Sequence, residues 1–266
     1  MTHAWLPRAS CDESCVRAES PRVWRATFRC LLIAVLLPVL PLLAIPHPGR
    51  ARAVRWFCWV VLRTMGVRIA KSGGPIRNVP GVLVVSPHMS WVDVLVINAL
   101  IPGTFVAKAE VTRGPALGVL ARVMNVIPID RARLRRLPDV VDAVATRLRS
   151  GQTVVTFPEG TTWCGLAHGP FRPAMFQAAI DAGRPVQPLR LSYHHRDGLP
   201  STVPALVGND TLPASFLRVL TAPRTVAHVR VEALQLPGTH RRDLAMRCQE
   251  AVRGARESHH ERALVA

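Results

Sequence analysis

GVLVVSPHMSWVDVLVINAL, Gly81–Leu100, decides the fold. Gly81 to Ser86 is a short, almost wholly apolar run rich in valine, which reads as a buried strand. Trp91 to Leu100 is longer and apolar, and reads as a helix. The tight passage between them, Pro87-His88-Met89-Ser90, carries polar groups where α/β proteins bind ligands, at the carboxyl end of a sheet. Within it His88 and Asp93 stand five positions apart. With the helix beginning at Trp91, Asp93 falls in its first turn and its carboxylate can reach back to one imidazole nitrogen. That would fix the tautomer and leave the other nitrogen free as a base. A second reading of the same letters is a capping box over Ser90-Trp91-Val92-Asp93, in which Asp93 only satisfies backbone N–H groups.

The alternation continues downstream. TFVAKA from Thr104 reads as a strand, as does the short apolar run before Asp130. Leu134, Leu137, Val141, Val144 and Leu148 recur at helical spacing, with Pro138 early and Gly151 just past the end. TVVTF (Thr153–Phe157) is a strand, PFRPAMFQAAIDAG (Pro170–Gly183) a helix closed by glycine, and VQPLRLSY (Val186–Tyr193) a strand. VAHVRVEAL (Val226–Leu234) alternates as a half-exposed strand, and Thr239 can cap a last arginine-rich helix fraying after about Arg256. Strands alternating with helices predict an α/β fold, a single sheet covered on both faces.

Upstream the texture differs. A polar stretch gives way to CLLIAVLLPVLPLLAI, Cys30–Ile45. At ~1.5 Å per residue this run reaches roughly 24 Å, short of a ~30 Å hydrocarbon core, and Pro38 and Pro41 would kink it. It is expected to dip into a bilayer rather than cross it. Ala51-Arg52-Ala53 resembles a small-residue cleavage site, but a long polar leader and flanking arginines argue against a signal peptide. RARAVRWFCWVVLRTMG follows, with Arg55, Trp59 and Arg63 on one helical face and Trp56, Val60 and Val61 nearer the other. Tryptophan and arginine together suit the headgroup level. The chain is thus expected to divide into residues 1–67, a polar leader with a membrane-associated helical pair, and 68–266, a catalytic domain from which the first part can be removed.

Composition agrees. The 266 residues are 49% apolar, enough for a sizeable core, and carry 34 basic against 17 acidic groups, a formal charge of +17. Mean hydropathy is +0.20, yet the apolar excess sits near the N-terminus, which excludes a polytopic transporter. All basic residues but Lys71 and Lys108 are arginine, a side chain suited to phosphates and anionic headgroups. Nucleic acid is not the expected partner, because only 5% of residues are aromatic and no zinc-finger, RNP or stacking pattern accompanies the basic runs. The six cysteines, Cys11, Cys15, Cys30, Cys58, Cys164 and Cys248, look scattered, so neither a metal site nor a disulfide framework is expected and a reducing compartment is.

Two further stretches hold candidate chemistry. VVTFPEGTT (Val154–Thr162) runs a strand into Glu159-Gly160-Thr161, where glycine allows close backbone approach and turn N–H groups can cradle an anion. VIPIDRAR places Asp130 and Arg131 after a short strand.

In this order the segments resemble the 1-acylglycerol-3-phosphate acyltransferases, and more broadly the HxxxxD glycerolipid acyltransferases, over roughly Gly81 to Tyr193. The resemblance implies that His88 is the base and Asp93 its orienting acid, and that Phe105–Glu110 is the stretch following that motif. It further implies that Arg131 binds the acceptor's phosphate, that Glu159, Gly160 and Thr161 bind the acceptor, and that Val186-Gln187-Pro188 fills the fourth, apolar motif. Two positions depart from the pattern. Thr162 stands where many members have arginine, and Pro87 where asparagine is common. FPEGTT, PFR and VQPLRLSY are similar to the branch containing lyso-ornithine lipid acyltransferases. The implied reaction moves an acyl group from acyl-CoA or an acyl carrier protein to a lysolipid hydroxyl at the cytoplasmic face of an anionic membrane, without cofactor or metal. A hydrolase that activates water with His88 and a catalytically idle membrane-binding module are the rival readings.

Overall fold

The computed structural model describes residues 7–17, 22–76, 79–112, 115–130 and 133–254. Among these residues seven strands make one sheet: β1 (Val67–Gly73), β2 (Leu83–Val85), β3 (Thr104–Lys108), β4 (Ile127–Ile129), β5 (Val154–Thr156), β6 (Val186–His194) and β7 (Thr225–Val231). Their spatial order is β1-β7-β6-β2-β5-β3-β4. From β6 to β4 all neighbours are parallel, whereas β7 runs antiparallel to β6 and β1 is parallel to β7. Every loop leaving the carboxyl end of β2, β3, β4, β5 or β6 therefore opens on one edge of the sheet.

Side chains of successive strand residues point to opposite faces, and here each face finds its own core. Val84, Val155, Leu189, Leu191 and Tyr193 join one cluster with the helices α2 (Arg50–Thr64) and α3 (Val92–Leu100). Leu83, Val85, Val154 and Val186 join the other with α5 (Leu137–Arg149), α6 (Ala174–Ala182) and α8 (Arg241–Arg253). The remaining helices are α1 (Val23–Leu36), α4 (Pro115–Val123) and α7 (Leu212–Thr221).

From Leu137 the periodicity forms α5, with Pro138 in its first turn and Val141, Val144 and Leu148 buried, while Leu134 falls in a 3₁₀ turn before it. The helix expected over Pro170–Gly183 starts only at Ala174 and ends on Gly183, whose φ of +60° suits a residue without a side chain. The late start has a local cause: Pro170 and Pro173 lack N–H donors, and each disfavours helical geometry in the residue before it. β1 and α7 escape a pattern reading. β1 is half-exposed and α7 begins on Leu212-Pro213 after a Thr211 side-chain cap.

No described helix is long and apolar enough to cross a membrane. α1 starts seven residues before the apolar run and ends at Leu36, two residues before Pro38; short turns of 3₁₀ helix carry the chain on to Ala44. The core does not stop at residue 67. Phe57, Cys58, Leu62 and Met65 are buried in the same cluster as α3 and β6, and the Arg29 guanidinium donates to the carbonyls of Leu220 and Ala222, both at 2.8 Å. α1 and α2 thus contribute to the core on one face of the sheet, whereas the sequence reading treated them as a part that can be removed. Trp56, expected opposite Trp59, is exposed as Trp59 is.

The cysteines also differ from their reading as scattered. Cys11, Cys15 and Cys164 converge, across a sequence separation of 153 for the outer pair, which spacing along the chain cannot reveal.

Candidate active site

Register brings the site together. β2 and β5 are parallel neighbours with Val85 beside Thr156, so His88 and Phe157, following the two strand ends, emerge side by side. Their rings stack, with centroids 4.0 Å apart and planes 13° from parallel. Phe157 thereby sets the plane of the imidazole, and Phe105 from β3 flanks Phe157, their ring centroids 6.3 Å apart.

The edge of the imidazole is set by Asp93. His88 Nδ1 lies 2.9 Å from Asp93 Oδ2; with the carboxylate accepting, Nδ1 carries the hydrogen and Nε2 keeps its lone pair. His88 remains 19% exposed whereas Asp93 is fully buried. Oδ2 also accepts from the backbone N–H of Met89 at 2.7 Å and of Ser90 at 2.9 Å, while Ser90 Oγ accepts from Val92 N at 3.2 Å. The orienting reading and the capping reading are thus both realised by one carboxylate. A first-turn acid that caps its own helix is held still, and it holds the imidazole still in turn.

The fourth partner of Asp93 is Tyr193, whose hydroxyl donates to Oδ1 at 2.6 Å. It is the only tyrosine of the chain, fully buried, and its pKa is raised well above the ordinary value by burial and by the Asp93 charge. Sequence reasoning placed Tyr193 at a strand end without giving it a role. The available signal was its phase: Leu189, Leu191 and Tyr193 share the face that meets α3, where a buried hydroxyl needs an acceptor.

Glu159 was expected to bind acceptor, but the fold gives it another task. It is buried, and its two oxygens accept from the backbone N–H of His88 at 2.9 Å and of Gly169 at 3.2 Å. It braces the His88 turn against the loop that follows β5. Burial pushes its carboxyl up to about 7, opposed by those two N–H groups and by the Arg253 charge. Gly160 has a φ of +74°, and a Cβ there would sit 2.8 Å from Pro7 Cγ. Thr161 is half-buried. The Thr162 hydroxyl donates to the Leu206 carbonyl. Asp130 follows β4 on the same sheet edge and pairs with Arg133 at 3.5 Å; Arg131 lies outside the described residues.

A family model described as Acyltransferase matches residues 68–192. Lyso-ornithine lipid O-acyltransferase from Pseudomonas aeruginosa is 33% identical over 211 residues, 77% of this chain and 79% of that one. The chain belongs to the acyltransferase family. The 1-acyl-sn-glycerol-3-phosphate acyltransferase of Neisseria meningitidis is 34% identical to this acyltransferase over 158 residues, 59% of this chain and 62% of the other. The crystal structure of PlsC, the 1-acyl-sn-glycerophosphate acyltransferase of Thermotoga maritima, superposes with a TM-score of 0.62 over 88% of this chain and 96% of that one. At 18% identity this last likeness establishes the fold of the acyltransferase.

Proposed function

We propose that this acyltransferase moves a fatty acyl group from a thioester of CoA or acyl carrier protein to the free hydroxyl of a lysolipid, 1-acylglycerol-3-phosphate in the first place. One observation carries the reading: a largely buried but still accessible imidazole is clamped through Nδ1 by a buried carboxylate, with Nε2 left as a base at the edge of the sheet. The acceptor hydroxyl gives its proton to Nε2 as its oxygen attacks the thioester carbonyl. The C–S bond then breaks, and the imidazolium returns the proton to the leaving thiolate. Asp93 stabilises the imidazolium between these steps. General-base assistance of this kind contributes ~10²–10⁴-fold, and positioning of two bound substrates supplies much of the rest. No cofactor enters the reaction.

Arg131, by its match to the family pattern, grips the acceptor's anionic headgroup, with Gly160 and Thr161 beside it. A second reading of the acceptor, lyso-ornithine lipid, is favoured by Thr162. Its hydroxyl is committed to the Leu206 carbonyl, and no guanidinium stands at that position to take a phosphate.

The reaction would run at the cytoplasmic face of the cell membrane. Trp24, Phe28, Leu31 and Val35 recur at spacings of four and three along α1 and are all exposed, an apolar stripe that suits burial at the acyl boundary. On α2, the Arg63 guanidinium lies 4.5 Å over the Trp59 ring. Trp59, Arg63, Arg68 and Arg224 line a groove of about 360 Å³, suited to anionic headgroups. The groove is formed by α2, β1 and Arg224, and His88 is not among its lining residues.

The decisive experiment gives purified protein labelled acyl-CoA and a panel of lysolipids. Acyl transfer that requires a lysolipid and disappears in His88→Ala supports the reading. Release of free fatty acid regardless of acceptor would assign the site to hydrolysis instead.

A further inference from the structure

Cys11 and Cys15 lie in the N-terminal segment and Cys164 on the loop beyond Phe157–Thr162. The fold nevertheless places their three Sγ atoms within 4.8 Å of one another, with those of Cys11 and Cys164 3.2 Å apart. Cys11 and Cys164 are buried and Cys15 is half-buried. Val207, Val16, Trp163 and Ala167 close an apolar shell around them.

Bonds that do not involve sulfur hold both halves in place. Asp12 accepts from Ser14 N at 2.9 Å and starts the single 3₁₀ turn Glu13–Cys15, which separates Cys11, before the turn, from Cys15, its last residue. Glu13 Oε1 accepts from Asn209 N, and Arg17 N donates to Thr202 Oγ1, both at 2.9 Å. On the other half, Trp163 N donates to the His88 carbonyl at 2.8 Å. Gly165 then turns the chain with a φ of +85°, where a Cβ would lie 2.4 Å from the Met89 sulfur. Cys164 is fixed between these two points.

We propose that Cys11, Cys15 and Cys164 form a thiolate site for zinc, which ties the N-terminal segment to the active-site loop. Sulfurs around a tetrahedral zinc, at about 2.3 Å from the metal, stand ~3.7 Å apart, within the span from 3.2 Å to 4.8 Å found here. Thiolates select soft cations of this kind over calcium or magnesium. On binding, each ligating thiol releases its proton to solvent, no electron is transferred, and a water completes the fourth position. The tie has a direct link to the active site, because Pro7 packs on Gly160 and the clip holds that segment down.

The test uses the full chain, reduced with a phosphine and stripped by a chelator. Zn²⁺ is titrated in against a chromophoric competitor, and one equivalent should bind. Co²⁺ should give thiolate-to-metal charge-transfer absorption. Cys164→Ser should weaken zinc by more than about 100-fold, the upper end of what losing an outer-shell partner costs. Cys30→Ser, at an exposed cysteine outside the cluster, should leave affinity unchanged. A readout without variants is alkylation: zinc should protect Cys11, Cys15 and Cys164 of the wild-type protein from iodoacetamide, as read by peptide mass spectrometry. No stoichiometric uptake, no protection of these three, or a Cys11–Cys164 disulfide without zinc in protein isolated without reductant would each overturn the proposal.

Discussion

The Tyr193 hydroxyl donates to Asp93 Oδ1 at 2.6 Å from a strand one hundred positions downstream. Asp93 Oδ2 faces His88, so the two oxygens of one carboxylate join the imidazole to the far side of the core. Tyr193→Phe keeps the ring and its packing but removes a buried donor. It should cost roughly 1–2 kcal/mol of stability and lower kcat about tenfold, leaving the KM of both substrates close to wild type. Denaturant unfolding and steady-state kinetics check this; a change in KM alone would make Tyr193 a substrate contact.

Asp93→Asn separates orientation from charge. The amide oxygen can still accept from Met89 N and Ser90 N, and the amide N–H₂ can face Tyr193, whose hydroxyl can accept as well as donate. The variant should fold, while acyl transfer falls by ~10²-fold or more because a neutral amide does not stabilise the imidazolium. Asp93→Ala should instead lose ~3 kcal/mol or more, since several buried donors are left unpaired. Near-full activity in the asparagine variant would reduce Asp93 to a cap.

Glu159 gives a pH signature. Its folded pKa of about 7 exceeds the ordinary 4.5, so between those values the folded state binds more protons than the unfolded one. Its contribution to stability therefore falls as pH rises from 4.5 to about 7 and is level outside that window. Relative to Glu159→Gln, the wild-type protein should be more stable below 4.5 than above about 7. Urea unfolding of both proteins across this range measures the difference, and parallel curves would refute it.

Gly160→Ala forces a side chain onto a φ of +74° and against Pro7. A loss of more than roughly 1 kcal/mol is expected, with faster proteolysis of the N-terminal segment. Resistance equal to wild type would mean that Pro7 does not rest there in solution.

Replacing Trp24, Phe28 and Leu31 together with serine should lower flotation with anionic vesicles more than tenfold, since each side chain loses roughly 1.5 kcal/mol or more of potential burial. Stability should move little, because all three are exposed. Unchanged flotation would move membrane binding to the arginine groove.

Legibility followed the range of the interactions. His88, Asp93 and the β2–α3 turn are local, and a strand followed by an apolar helix with an acid in its first turn can be read letter by letter. Phe157 could be read as part of a strand end, but its stacking on His88 depends on β5 lying beside β2. Glu159 was expected to bind acceptor through the family resemblance of its stretch; only the fold shows the two backbone N–H groups it accepts from. The phase of Tyr193 marks it as buried, but its acceptor, like the sulfur partner of Cys164, lies far away in sequence.

The near-parallel stacking of His88 on Phe157 also dictates a route. An imidazole lone pair lies in the plane of its ring, so a hydroxyl that meets Nε2 must travel along that plane. With the two planes only 13° apart, the incoming alcohol slides over the phenyl face like a drawer on its runner. A bulky substituent beside the acceptor hydroxyl on the phenyl side would meet that runner before its oxygen arrived, whatever headgroup it carries.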